Sequence, residues 1–139
     1  MAYHKKLVKI ILFGGLWIDG QYADLWEWSN GKWHSRGGPY DNSPLDHHNM
    51  IYDEKLQQVI MFGGKNYRYR AQKNTLTVKG DRIITLSTDG PSARHSVGLT
   101  YHSQHQHGYL YGGKKYKGDN QVALADFWKW NGEMWERIE

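Results

Sequence analysis

An all-β fold of repeated units is what this sequence predicts, and three observations carry the prediction. A pair of glycines closes a short apolar run three times: Ile11-Leu12-Phe13-Gly14-Gly15, Ile60-Met61-Phe62-Gly63-Gly64 and Tyr109-Leu110-Tyr111-Gly112-Gly113. The interval is constant, 49 residues from Phe13 to Phe62 and 49 again from Phe62 to Tyr111. A self-similar period of that size means stacked supersecondary units. The composition agrees: 16 Gly, only 3 Pro, 7 Trp and 10 Tyr in 139 residues suit many short strands joined by tight turns. Finally, Asp-x-Trp-x-Trp appears twice, each time ahead of an Asn-Gly turn (Asn30-Gly31, Asn131-Gly132) that supplies the positive φ a hairpin needs.

The first element is a strand that resembles something else. Lys5-Lys6 ahead of Leu7-Val8-Lys9-Ile10-Ile11-Leu12-Phe13 has the look of a signal peptide. Yet residues 1–15 align without a gap on 50–64, with eight identities: Met1/Met50, Tyr3/Tyr52, Lys6/Lys55, Leu7/Leu56, Ile11/Ile60, Phe13/Phe62 and both glycines. A copy of an internal segment is expected to fold as that segment does. No other run is long and apolar enough to span a membrane.

The second unit shows the full pattern. His48 to Tyr52 is a small-to-apolar run closed by Asp53-Glu54-Lys55, and Gln57 to Phe62 returns to the glycines. Thr75-Leu76-Thr77-Val78 alternates with period two, Lys79-Gly80-Asp81 turns, and Arg82 to Leu86 makes a fourth strand. In the outer units the third strand is aromatic, Asp24 to Trp28 and Asp126 to Trp130, with Trp33 and Trp135 beyond the turn. Trp26 and Trp28 lie two residues apart and share one sheet face, with Glu27 on the other. These tryptophans are expected to fill the space between neighbouring units.

Four antiparallel strands per unit, repeated radially, make a β-propeller blade. The apolar run with Gly-Gly, then Asp-x-Trp-x-Trp, then Trp after a four-residue turn, then Pro91-Ser92-Ala93-Arg94, resembles the Kelch repeat over nearly the whole chain. Residues 39–48 keep that last element in part, with Leu45 where Arg94 falls. The expected architecture is an incomplete ring of just under three Kelch-type blades in one region, 1–139, with blades at about 1–34, 46–86 and 94–138. The first blade begins partway along its innermost strand. Two readings follow: a piece of a longer propeller, or two copies meeting head-to-tail as a six-bladed ring, the preferred one.

In such a blade the loops after strands two and four share one face. Those loops (16–23, 35–46, 65–73, 87–94, 114–125) hold nine basic and five acidic residues, which accounts for the formal net charge of +4. Cations alternate there with tyrosine, in Lys65-Asn66-Tyr67-Arg68-Tyr69-Arg70 and Lys114-Lys115-Tyr116-Lys117, near Trp17, Tyr22 and Tyr40. Arg and Tyr anchor interfaces because both give directional hydrogen bonds on a semi-rigid surface. The expected binding residues are therefore Trp17, Tyr22, Lys65, Arg68, Tyr69, Arg70, Arg94, Lys114, Lys115 and Tyr116, for a protein partner or an acidic ligand.

Catalysis is not expected. The resemblance implies that some relatives are enzymes, but a galactose-oxidase-like copper site needs a Cys and this chain has none. The iron pattern Glu-x-x-x-Asp-x-x-x-His of specifier proteins is also missing. A sialic-acid-epimerase-like or carbohydrate-binding propeller is the alternative reading. His102, His105 and His107 offer three imidazoles within six residues, but they fall on the exposed first hairpin and read as a polar turn, not a metal site. No cofactor, base-reading motif or phosphate loop is expected. The absence of Cys leaves the compartment open, the cytoplasm being preferred.

Overall fold

A computed structural model describes residues 1–38, 45–66 and 68–139. Tyr40, Asp41 and Tyr67, which the charge map and the Tyr-cation alternation include, lie outside them. The described residues form an all-β structure with three four-stranded antiparallel sheets, none closed on itself, and no helix. The first sheet takes β1 (Ala2–His4), β2 (Lys9–Trp17), β3 (Gly20–Ser29) and β4 (Lys32–Gly37) in chain order. The second repeats this with β5 (Asn49–Asp53), β6 (Gln58–Phe62), β7 (Thr75–Lys79) and β8 (Arg82–Ser87). The third uses β9 (Gly98–His102), β10 (His107–Tyr111), β13 (Phe127–Trp130) and β14 (Trp135–Arg137). Between β10 and β13 stands a separate hairpin, β11 (Lys114–Lys117) with β12 (Asn120–Ala123).

The 49-residue period is written into the backbone as well as the sequence. Ala2 pairs with Ile11, Ile51 with Ile60 and Thr100 with Tyr109, the same register three times. The first hairpin turn of each sheet places one residue in the left-handed region, Val8, Gln57 or Gln106, at φ 53–54°. It is also closed three times by one kind of bond: the Leu7, Leu56 or His105 amide donates to the side chain of His4, Asp53 or His102. Adjacent turns are tied as well, because Glu54 accepts from both Lys5 and Ser103.

Alternation along each strand decides which neighbour a residue meets. In the second sheet Met50, Val59, Met61 and Leu76 pack with Ile11, Phe13, Leu25 and Leu45 in one core. Their neighbours Ile51, Ile60 and Phe62 point the other way and pack with Val97, Leu110, Trp130 and Trp135 in another. The middle sheet is thus covered on both faces, and each fully buried large apolar side chain contributes roughly 1.5–3 kcal/mol.

The Gly-Gly pairs join the sheets. The Gly15 amide donates to the Leu45 carbonyl at 2.9 Å, and the Gly64 amide to the Arg94 carbonyl at 3.0 Å. Gly63 adopts φ +74°, and a Cβ there would lie 2.6 Å from the same Arg94 oxygen. Only glycine fits that approach. Two segments read as loops are strand instead. Residues 16–23 continue the β2–β3 ladder beyond a register shift at Phe13/Gly15. Residues 114–123 form the β11–β12 hairpin, which turns at Gly118 with φ +60°.

Candidate functional site

The site is assembled from two short pieces of chain. The first is the loop after β6. Asn66 holds it: its Oδ1 accepts the Arg68 and Arg70 amides, both at 3.0 Å, and its own amide donates to the Arg70 carbonyl at 3.0 Å. Side-chain capture of following amides is what makes Asn a turn residue. Tyr69 sits at φ 55° within this turn, a costly conformation for an aromatic residue, and remains 58% exposed. Lys65 lies 5.9 Å from the Tyr69 ring centroid and 3.8 Å from Asp46.

The second piece is the β11–β12 hairpin. His95 anchors it by a reciprocal pair of backbone bonds with Lys114, at 3.0 and 2.9 Å. Tyr116 lies over the His95 ring at 5.5 Å between centroids. Between loop and hairpin opens a cleft of about 810 Å³ lined by Arg68, Tyr69, Arg70, Lys115, Tyr116 and Asp119, with Ser92 and Ala93 as its floor. Three cations against one carboxylate give it a positive field, and confinement strengthens that field for an incoming anion.

A larger hollow of about 950 Å³ adjoins it and shares Ser92, Ala93 and Lys115. Its lining sets Lys73, Arg94, Lys115 and Arg137 against Asp89, Asp126 and Glu139, a smaller surplus of cations than in the first cleft, and it holds no tyrosine. Size alone favours this hollow; charge favours the smaller cleft. We take the smaller one as the site because only there do the surplus cations and tyrosines coincide.

The remaining expected binding residues lie elsewhere. Trp17 projects from the β2–β3 tip with 66% of its surface exposed. The Tyr22 hydroxyl donates to the Asp19 carboxylate at 2.9 Å, which pushes its own pKa above the ordinary value. Neither residue lines the cleft.

Arg94, expected on the loop face as a binding residue, is 1% exposed and uses all five N–H donors internally. They go to Asp126 Oδ1 and Oδ2 at 2.5 and 2.8 Å, the Gly112 carbonyl, the Ser92 carbonyl and the Ser92 hydroxyl. The Arg94 guanidinium beside Asp126 holds that carboxyl down at about 2. The pair fastens the second sheet's exit to the third sheet.

Behind the cleft lies a polar cluster that sequence reasoning missed. Asp46, 2% exposed, accepts from the Gln21 amide at 2.7 Å and contacts His47 Nδ1 at 2.8 Å. His95 is 3% exposed, and burial together with Lys65, His47 and Lys114 pulls its pKa down, so its ring is neutral at pH 7. His48 is driven lower still, to about 4, chiefly by burial. Asp46 and His95 are equivalent by the 49-residue period, and the sequence signal for them is that spacing alone. His102 and His105 stack at 4.0 Å on the outer face of the third sheet. Among the described residues no group of three or more His, Cys, Asp or Glu is placed to hold a metal ion.

Chemically, the cleft can bind: it presents fixed cations, aromatic faces and phenol hydroxyls around a volume that suits an extended segment of a few residues. No protein-family model matches the chain, and no curated protein matches it, so the reading of this cleft rests on its own geometry.

Proposed function

We propose that the chain is a segment of a Kelch-type β-propeller acting as a non-catalytic binding module. Its basic, tyrosine-lined cleft would recognise an acidic segment of a partner protein. The radial arrangement is supported by the 49-residue register that recurs in three sheets and by the two cores between them. The recognition reading is carried by one observation, the convergence of Arg68, Arg70 and Lys115 with Tyr69 and Tyr116 in a single cleft. Asn66 holds half of that surface before any ligand arrives, which reduces the entropy lost on binding.

A carbohydrate-binding propeller is the second reading, favoured by the exposed Trp17 and Tyr69 rings. One experiment separates the two. A fluorescent glutamate-rich peptide is titrated against the protein by anisotropy, with neutral oligosaccharides in parallel. The first reading expects peptide binding that weakens steeply with salt, and about tenfold or more loss in the Arg70→Glu/Lys115→Glu variant. Lys79→Glu, on a turn that does not line the cleft, serves as the unchanged control. Salt-independent binding of an oligosaccharide, lost in Trp17→Ala or Tyr69→Ala, would replace the first reading with the second.

A further inference from the structure

Among the described residues, two sheet faces are built like the interior and lie uncovered. The first is the face of the first sheet turned away from the second. It carries Trp28 opposite Ile10, with Trp28 and Trp33 edge-on at 5.4 Å between centroids. Their equivalents in the third sheet are Trp130, opposite Gly108, and Trp135, also 5.4 Å apart. In the third sheet this pair is buried against Phe62, Ile60 and Ile51, with Trp130 1% and Trp135 7% exposed. In the first sheet the same pair is 36% and 40% exposed.

The second uncovered face belongs to the third sheet, on the side away from the second. By the 49-residue period Tyr109 stands where Ile60 stands, and Tyr111 where Phe62 stands. Phe62 is fully buried with its ring 5.4 Å from Trp135, whereas Tyr111 is 57% exposed. An apolar hollow of about 570 Å³, lined by Leu99, His102, His105, Tyr109, Tyr111 and Phe127, opens on this face.

We infer that a second copy of this chain covers that hollow, seating the Trp28–Trp33 face of its first sheet on the Tyr109–Tyr111 face of the third. The occupant follows from continuity with the internal joint. The uncovered tryptophan pair repeats the arrangement that already fills the space against Phe62, and the receiving face carries rings at the positions of Ile60 and Phe62. Such a contact is heterologous, one face meeting a different one, so each copy keeps a donor and an acceptor surface. It shares no residue with the basic cleft and does not depend on what the cleft binds.

Light scattering on the unmodified protein is the first test. Particles of two or more 16.3 kDa chains at micromolar concentration are expected, and a monomer overturns the inference. The absence of Cys makes the second test clean. Trp33→Cys and Tyr111→Cys proteins are mixed and treated with a short bis-maleimide. Cross-links joining the two different sites should predominate; cross-links joining like sites overturn the head-to-tail geometry. Tyr111→Lys, an exposed position that can be changed without touching a core, should weaken self-association about tenfold or more. Unchanged association in that variant also overturns the contact.

Discussion

The joint between the first and second sheets and the joint between the second and third share one backbone and almost no side chains. Both use a glycine amide donating to the carbonyl of the residue 30 positions later, Gly15 to Leu45 and Gly64 to Arg94. Both follow it with a reciprocal antiparallel bridge, Asp46 with Lys65 and His95 with Lys114. Around this common frame the first joint is mainly aliphatic, with Phe13 its one buried ring among Met50, Val59, Met61 and Leu76, whereas the second adds the three large rings of Phe62, Trp130 and Trp135 to Ile51, Ile60, Val97 and Leu110. Volume is traded across strands to permit it. Where Trp130 enters, its cross-strand partner is Gly108, and a Cβ on Gly108 would lie 3.3 Å from Trp130 and 3.0 Å from Ile51. The frame is set by hydrogen bonds, and the filling is free to vary as long as the space is closed.

The sharpest way to break this comparison is at Leu45 and Arg94, equivalent positions that are both buried. Arg94→Ala leaves the Asp126 carboxylate without its main partner and should cost about 3–5 kcal/mol, read from urea unfolding. If the two joints are interchangeable, Arg94→Leu combined with Asp126→Asn should recover most of that loss. Failure of the double variant to recover would mean that the ion pair does more than fill its joint.

Acid should separate the joints next. Partly buried His48, beside the first joint, has its folded pKa at about 4, below the ordinary 6.5. The unfolded chain therefore takes up the proton first as pH falls. Stability is complete above pH 6.5 and is lost progressively down to about pH 4, by about 3 kcal/mol. His4 and His95, also lowered chiefly by burial, add losses of the same sign that begin as pH falls below 6.5. Asp126, held at about 2, contributes stability present above its ordinary 3.8 and lost only as pH falls from there toward 2. A His48→Gln protein should show a flatter decline between pH 6.5 and 4 with the lower step intact.

The glycine frame itself is tested by Gly63→Ala, which meets both a left-handed φ and the Arg94 oxygen. A loss of about 2–3 kcal/mol is expected in thermal or urea unfolding. Asn66→Ala should cost about 1 kcal/mol by removing the side-chain oxygen that accepts the Arg68 and Arg70 amides, with a larger proportional effect on acidic-peptide affinity than on unfolding. The smallest effect has the opposite sign. Val8 holds a left-handed φ of 53° while 69% exposed, where its equivalents are Gln57 and Gln106. Val8→Asn should stabilise by about 0.5 kcal/mol, since a β-branched residue pays most for that conformation.

Much of this was legible in the sequence, because strands with period-two alternation and Gly-Gly stops are local signals. The second sheet's strands appear within a residue or two of where alternation puts them. What escaped depended on contacts far apart in the chain. Pro-x-x-Arg reads as a surface cation, yet Arg94 is buried and paired with the partly buried Asp126, 32 positions away. A clue existed: the third unit holds both the Arg and the Asp-x-Trp, whereas the second has neither, with Leu45 and Leu76 in the corresponding core. The β11–β12 hairpin was hidden by its polarity, since Lys114, Lys115 and Lys117 do not read as strand residues. Gly118-Asp119 between Tyr116 and Val122 was its one turn signal. The cluster of Asp46, His47 and His95 left no local trace, because only tertiary packing brings those side chains together.

The Gly-to-carbonyl bond that closes each joint has an evolutionary corollary. It is made by main-chain atoms alone, so duplicating or excising one whole 49-residue module would restore it automatically at the new seam. Descendants of such a gene can change length in steps of one module, and the side chains at the seam can be tailored afterwards.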